Sequence, residues 1–287
     1  MALELETGGV TARESSYAHC RQVTRKRARN FFYAFRLLDA ERRDAICAIY
    51  AFMRRCDDLS DEAGATVEAL EQWRGELNRA LEGAWGADPI WPAFHDTVTR
   101  YGIPVELFQE MIDGVSSDLR RSRMEDFEEL YRYCYQVASV AGLSLMYVMQ
   151  ATSKEALALA EKCGVAFQLT NILRDVKEDF ERGRVYLPRQ DMERFQVEEI
   201  RETDAFLELL RFEAERAGGY YQEARALPEM VDRSCAGALW ALMEIYQRLL
   251  ERIERCGYRV LSERVRVPAA EKLWILARAQ WRWRWSS

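Results

Sequence analysis

Apolar residues recur along this chain every three to four positions, and no stretch alternates apolar with polar residues for long. That spacing predicts helices over 15–28, 40–62, 66–84, 104–118, 126–150, 154–182, 192–195, 203–226, 229–256 and 268–282. Gly86, Pro89, Pro92, Gly102, the run from Gly183 to Pro188, and Gly257 read as breakers between them. Asp126, ahead of Phe127-Glu128-Glu129, has the form of a helix N-cap followed by acids in the first turn. The chain shows no internal repeat, linker or low-complexity segment. The expected architecture is therefore a single all-α domain over 1–287, a large helical bundle, with residues 1–14 as a flexible N-terminal tail.

Composition narrows what such a bundle can do. Hydrophobic residues make up 49% of the 287 positions, enough for a substantial core, and the net charge of −6 argues against nucleic acid as a partner. No apolar run approaches the ~18–20 residues that would span a bilayer, and no signal-peptide core opens the chain. Seven cysteines without a Cys-x-x-Cys pair point to reduced, packed thiols and a cytoplasmic setting. With His19 and His95 as its only histidines, the chain is a poor candidate for a histidine-rich zinc site or a Ser-His-Asp triad.

The candidate chemistry lies in two acidic stripes. Asn171, Asp175 and Asp179 recur at i, i+4 and i+8, so on a helix they stack on one face about 6 Å apart per step, with Gln168 one turn earlier. Asp57 and Asp61 repeat the device directly after the apolar run Ala45 to Met53, which reads as a buried helix. A solvated surface is the ordinary explanation for one such pair. Two stripes, one on a buried helix and one containing an asparagine, are harder to explain that way. Carboxylates one turn apart repel unless a cation lies between them. Oxygen ligands at that spacing suit Mg²⁺, which takes one or two carboxylates together with waters and phosphate oxygens. Two facing stripes would bind and activate a diphosphate.

Cations accompany the acids. Arg54 lies one turn before Asp57, Arg174 precedes Asp175, and Arg182, Arg184 and Arg189 follow the second stripe. Each alone is an exposed ion pair contributing about 0–1 kcal/mol; together they suit a departing diphosphate. Ala138, Ala141, Gly142 and Gly164 put small residues where a bundle favours large ones. Close helix packing accounts for them, and so does an apolar tunnel for a hydrocarbon tail, in which burial would supply about 0.8 kcal/mol per CH₂. Phe31 and Phe35, one turn apart, are placed to wall such a tunnel or simply to fill the core.

At this point the chain resembles the squalene/phytoene synthases, the head-to-head prenyl transferases, from about Phe31 to Ile275. The likeness is carried by the block Glu41 to Glu62, by Tyr131-Arg132-Tyr133-Cys134-Tyr135-Gln136-Val137-Ala138, by Gln168 to Pro188, and by Tyr258 with Glu263-Arg264-Val265. The resemblance implies an all-α isoprenoid-synthase fold around a central cavity and magnesium ions, three of them in such enzymes. Asp57, Asp61, Asn171, Asp175 and Asp179 would hold metal and diphosphate. Arg54, Gln168, Arg174, Tyr133, Tyr258 and Arg264 fall on family positions that contact the diphosphates or flank the reacting carbons. The resemblance leaves room for NADPH, which nothing in the sequence indicates.

Many family members carry a serine-rich, diphosphate-binding segment just before the Phe31 position. Here it reads Arg27-Ala28-Arg29-Asn30-Phe31, where arginines and Asn30 replace the serines as donors. The Asn30-Phe31 pair is similar to the bacterial hopanoid branch, which implies farnesyl or presqualene diphosphate as substrate and a C30 squalene-type product. The alternative is a phytoene synthase joining two C20 units. A head-to-tail synthase or terpene cyclase fits the first stripe but not the Gln168 to Pro188 block, and an inactive scaffold relative would be expected to have lost its metal ligands. Finally, Trp281-Arg282-Trp283-Arg284-Trp285 alternates aromatic and basic residues, as a peripheral contact with the inner face of an anionic membrane would, or as a helix end packed on the bundle.

Overall fold

The computed structural model describes residues 2–61, 65–119 and 122–284, with side chains from residue 12 onward except at positions 29, 30 and 284. Thirteen α-helices appear among the described residues: α1 (Ala2–Arg27), α2 (Arg29–Phe35), α3 (Ala40–Asp61), α4 (Val67–Leu81), α5 (Trp91–Tyr101), α6 (Glu106–Asp118) and α7 (Phe127–Cys134) come first. They are followed by α8 (Val140–Val148), α9 (Lys154–Glu181), α10 (Arg189–Arg194), α11 (Asp204–Glu223), α12 (Arg233–Arg255) and α13 (Ala269–Arg284). No strand is present among the described residues, apart from one isolated bridge between Arg123 and Val185. The chain is all-α, and its buried apolar side chains form one continuous cluster.

Two long helices organise the rest. Along α3, Ala45 to Phe52 is buried almost without interruption, and Phe52 faces an aromatic cluster from the neighbouring helices. Phe52 stacks on Phe94 at 4.8 Å and meets Phe108 edge-on at 5.2 Å, while Trp73 and Trp91 stand 4.3 Å apart beside them. These rings fix the back of α3 and aim its other face inward. In α9, Ser153 caps the first turn by accepting from the Ala156 amide at 3.1 Å. Ile172, Leu173 and Val176 anchor the back of this helix, and Thr170 hydrogen-bonds the Tyr221 hydroxyl of α11 at 2.8 Å.

Several expectations are corrected. Of the N-terminal tail expected over 1–14, residues 2–14 are the beginning of α1, whose Arg13 reaches Asp96 of α5 at 3.1 Å. Helix α5 occupies a segment read as breakers. Pro92 falls in its first turn, where a missing N–H costs no hydrogen bond, and Gly102 closes it in the left-handed conformation at φ 59°. Helix α2, only seven residues long, went unpredicted. The predicted 126–150 helix is interrupted by a π turn over Tyr135–Ser139, with Asp126 accepting from the Glu129 amide at 2.9 Å as its N-cap. A 3₁₀ turn over Ala224–Glu229 precedes α12, which starts at Arg233 with Asp232 as its cap.

Two glycines make room for the π turn. A methyl group on Gly164 would stand 2.4 Å from the Ser139 Cα, and one on Gly114 would stand 2.7 Å from the Gln136 Cβ. For Gly164, close packing is therefore the operative explanation. Gly142 differs, because a Cβ there would meet nothing nearer than the Ala160 carbonyl at 3.6 Å. Its small size leaves space open.

Candidate active site

That space is part of a cavity of about 400 Å³ between α2, α3, α6, the α7–α8 segment, α9 and α12. Its inner wall is apolar, with Ile46, Leu145, Met146, Leu227, Leu239 and Leu242 among the lining residues. Its mouth is polar, because α3 and α9 both end there. Asp57 and Asp61 come from the last turns of α3, and Gln168, Asn171, Asp175 and Asp179 come from α9. The two predicted stripes thus meet at one opening. Phe31, Phe35, Arg54, Tyr133, Ala138, Gly142, Arg174 and Arg184 line the same cavity.

Arg184 ties the stripes together. From the loop after α9 it donates to Asp61 Oδ1 at 2.9 Å and to the Ser60 carbonyl at 3.2 Å, while Arg182 reaches Asp61 Oδ2 at 3.4 Å. The loop is itself pinned, since the Val185 amide donates to the Ser122 carbonyl at 2.8 Å. Tyr186, next along, donates to Asp118 Oδ1 at 3.0 Å, and Tyr133 donates to Asp118 Oδ2 at 2.9 Å. The two phenol rings stack at 4.9 Å. Asp118, at the end of α6, therefore holds two tyrosines over the mouth.

Several acids at the mouth lack a matching cation. Burial pushes Asp57 up to about 7, against the pull of Arg54 and with further upward pressure from Asp61. Burial, and then Asp175, push Asp179 up to about 7, and burial pushes Asp118 up to about 6. Asp175 is better provided for, with Arg174 beside it and Arg264 at 2.9 Å. Asn171 donates to Gln168 at 3.4 Å, but its own Oδ1 is buried and accepts no well-formed hydrogen bond, although the Tyr246 phenol is close enough to interact. Among the described residues, no three acidic, imidazole or thiolate side chains converge into a closed metal cage. An all-oxygen donor set, divided between two helices, is chemically suited to Mg²⁺, which takes carboxylate oxygens together with other oxygen ligands.

A second, basic cleft adjoins the cavity. Arg25, Arg27, Arg36, Arg264, Arg266 and Lys272 line it, and it shares Phe31, Tyr50, Arg54, Asn171, Arg174 and Tyr246 with the cavity. Arg27 and Arg264 thus stand in the cleft beside the mouth; Arg264 also reaches Glu178 at 2.9 Å. The Asn30 side chain lies outside the described residues.

Two expectations fail on geometry. Gly257 and Tyr258 both adopt left-handed conformations, at φ 65° and 61°, which reverses the chain after α12. The reversal puts the Tyr258 ring 6.0 Å from the Arg211 guanidinium, and Tyr258 does not line the cavity. Tyr246 of α12 lines it instead, stacked on Phe167 at 4.1 Å and edge-on to Phe31 at 5.6 Å. Arg189 points away and pairs with Glu125 and Glu193 on the surface. Tyr50, Asp118 and Tyr186 were also missed. Tyr50 was legible, one turn before Arg54 on the stripe that ends at Asp61, and Tyr186 lay inside the quoted block. Asp118 carried no local signal.

Known proteins agree with this geometry. The squalene/phytoene synthase family model matches residues 24–271. A 15-cis-phytoene synthase from Synechocystis sp. is 37% identical, covering 92% of this chain and 84% of that protein. A phytoene synthase from Arthrospira platensis is 35% identical, covering 94% of each. Among solved structures, a dehydrosqualene synthase in complex with ligand superposes with a TM-score of 0.89 at 28% identity, covering 96% of this chain and 99% of that one. A squalene synthase from Alicyclobacillus acidocaldarius gives 0.80 at 29%, covering 87% and 96%. With a family match over most of its length and acidic helix ends meeting over an apolar cavity, the chain belongs to the squalene/phytoene synthase family of prenyl transferases.

Proposed function

We propose that the protein joins two geranylgeranyl diphosphates head to head, as a phytoene synthase. The observation that carries this reading is the identity of 35–37%, over more than nine-tenths of the chain, to proteins named phytoene synthase. It displaces the C30 expectation drawn from Asn30-Phe31. A farnesyl-based C30 product is the second reading, favoured by the TM-score of 0.89 to a dehydrosqualene synthase.

Asp57 and Asp61 on α3, with Asn171, Asp175 and Asp179 on α9, are the residues that would hold Mg²⁺. When bound there, Mg²⁺ supplies charge neutralisation for the diphosphate that leaves. The chain's own part follows from its layout. Arg54, Arg174 and Arg184 bind diphosphate oxygens at the mouth, and Arg27 and Arg264 bind those of a second diphosphate in the cleft. The allylic C–O bond of one substrate breaks, with its electron pair leaving on the diphosphate. The C2–C3 double bond of the other substrate then attacks C1′ of the resulting cation; C1′ loses a proton to the released diphosphate as it closes a second bond to C3, giving a cyclopropylcarbinyl diphosphate. Ala138 and Gly142 leave room for the prenyl tails. Phe31, Phe167, Tyr50 and Tyr246 put aromatic rings on the cavity lining, suited to stabilising cations, and the apolar wall keeps water from quenching them.

The deciding experiment incubates the protein with farnesyl, geranylgeranyl or presqualene diphosphate plus Mg²⁺, with and without NADPH, and identifies the lipids by mass spectrometry. A C40 hydrocarbon from geranylgeranyl diphosphate is expected. Preferential conversion of farnesyl or presqualene diphosphate would establish the second reading, and consumption of none of the three would sink both.

A further inference from the structure

The last helix carries two apolar faces where a bundle helix needs only one. Its inner face, with Ile275 and Ala279 fully buried, packs on α12 and α2. Its outer face shows Ala270, Leu273, Trp274, Ala277 and Trp281, spaced three to four residues apart in a stripe about 16 Å long. Leu273 and Trp274 are half exposed, and Trp281 is 74% exposed. Three of the five exposed large apolar side chains among the described residues thus fall on this face, the others being Trp85 and Phe180.

The exposed charges that α13 itself contributes beside the stripe are basic, with Arg278 3.7 Å from Glu244 and Arg282 3.9 Å from Glu229 on the neighbouring segments. The exposed described residues of α13 include no acid, and its one glutamate, Glu271, faces inward and pairs with Arg252. Arg278 lies 4.6 Å over the Trp274 ring and 5.3 Å over Trp240; Arg282 lies 5.7 Å over Trp240 and 5.5 Å over Trp283. Beyond them the sequence continues Arg284-Trp285. At its other end α13 borders the basic cleft, which Ala269 and Lys272 help to line alongside Arg264 and Arg266. A cationic margin around exposed tryptophans stands out on a chain whose net charge is −6.

We propose that this face of α13 docks the protein on the surface of an anionic lipid bilayer, with Leu273, Trp274 and Trp281 entering the headgroup region and Arg278 and Arg282 meeting lipid phosphates. Tryptophan suits that boundary because its ring is apolar and its N–H is polar. No described helix is long and apolar enough to cross a membrane, so the contact is peripheral. A second copy of the chain fits less well, since a twofold contact through this stripe would bring its arginines toward their own copies. The purpose of the contact, though not the contact itself, rests on the proposed function: the face adjoins the cleft beside the cavity, where an apolar product would pass into lipid.

The test uses the full chain, without substrate, and flotation with vesicles of phosphatidylcholine alone or mixed with phosphatidylglycerol. Binding to the mixed vesicles is expected, weakening as salt is raised. The W274S/W281S double variant should bind about a hundredfold more weakly, with an unchanged circular dichroism spectrum and unchanged prenyl turnover in detergent. R282E, which keeps the tryptophans, should lose about tenfold on mixed vesicles and nothing on neutral ones. Absence of wild-type binding, or equal binding by the double variant, would overturn the proposal. So would a wild-type dimer in sedimentation that the double variant converts to monomer. If vesicles bind while all three prenyl diphosphates remain unconsumed, the proposed reaction fails and the docking surface stands.

Discussion

The acidic mouth and the basic cleft lie side by side, share Arg54, Asn171 and Arg174, and have opposite requirements. At the mouth, burial raises Asp57 and Asp179 to about 7, so their ionised forms are favoured by added positive charge beside them. The cleft brings further cations, Arg25, Arg27, Arg36, Arg266 and Lys272, with Arg264 reaching back to Asp175 and Glu178, and in the proposed function it holds the second diphosphate. Two substrates of the same kind would therefore be handled differently: one activated to ionise, the other held intact as the nucleophile. The division follows from which side chains the helices present, and it predicts different phenotypes on the two sides.

The largest effect is expected at the mouth. Asp57→Asn or Asp175→Asn should lower pyrophosphate release at least about 10³-fold, mainly in kcat, with a near-native circular dichroism spectrum. Turnover within a few-fold of the parent in both variants would break the comparison. In the cleft, Arg264→Gln should act mainly on binding, raising KM about 10–100-fold through lost charge-assisted hydrogen bonds. An equal drop in kcat with unchanged KM would show that the cleft takes part in ionisation instead. Gly142→Leu puts a bulky side chain on the cavity wall at a position where an added Cβ would meet nothing nearer than the Ala160 carbonyl at 3.6 Å. It should reduce the preference for C20 over C15 diphosphate about tenfold, read from competing-substrate product ratios. An unchanged ratio would place the tails elsewhere.

The smallest effect concerns pH. Asp57 and Asp179, at about 7, lie above the ordinary carboxylate value, so the folded state binds more protons than the unfolded one between about 4 and 7. Their contribution is fully present below about 4 and is lost as pH rises through about 7. Chelator-treated protein should therefore lose Tm from pH 5.5 to pH 8. The D57N/D179N variant should show a flatter profile, and added Mg²⁺ should restore stability at pH 8 by binding the folded state. A parent profile as flat as the variant's would mean that the two carboxylates are already compensated.

How far each feature could be read in advance depended on whether its cause was local. Both acidic stripes, the Asp126 cap and the long helices α3 and α9 are consequences of spacing along one helix, and the structure places them where the spacing put them. Helix α5 was lost because proline and glycine were read as breakers, when their positions at the first turn and the C-cap make them terminators of a helix between them. Tyr258 was placed at the site by resemblance alone. Two successive left-handed residues turn it away, and Tyr246 stands there instead.

Periodicity and residue type alone determined the all-α class and each of the two carboxylate ladders, because each depends on neighbours within a few turns of one helix, while the family followed from resemblance over longer blocks. Only tertiary structure decided that Asp118 gathers Tyr133 and Tyr186, that Arg184 bridges to Asp61, and that Gly164 serves packing while Gly142 leaves space. Those relations join residues from different helices. They depend on how aromatic and aliphatic faces pack, which fixes helix positions to fractions of an ångström and is recorded in no single stretch of chain.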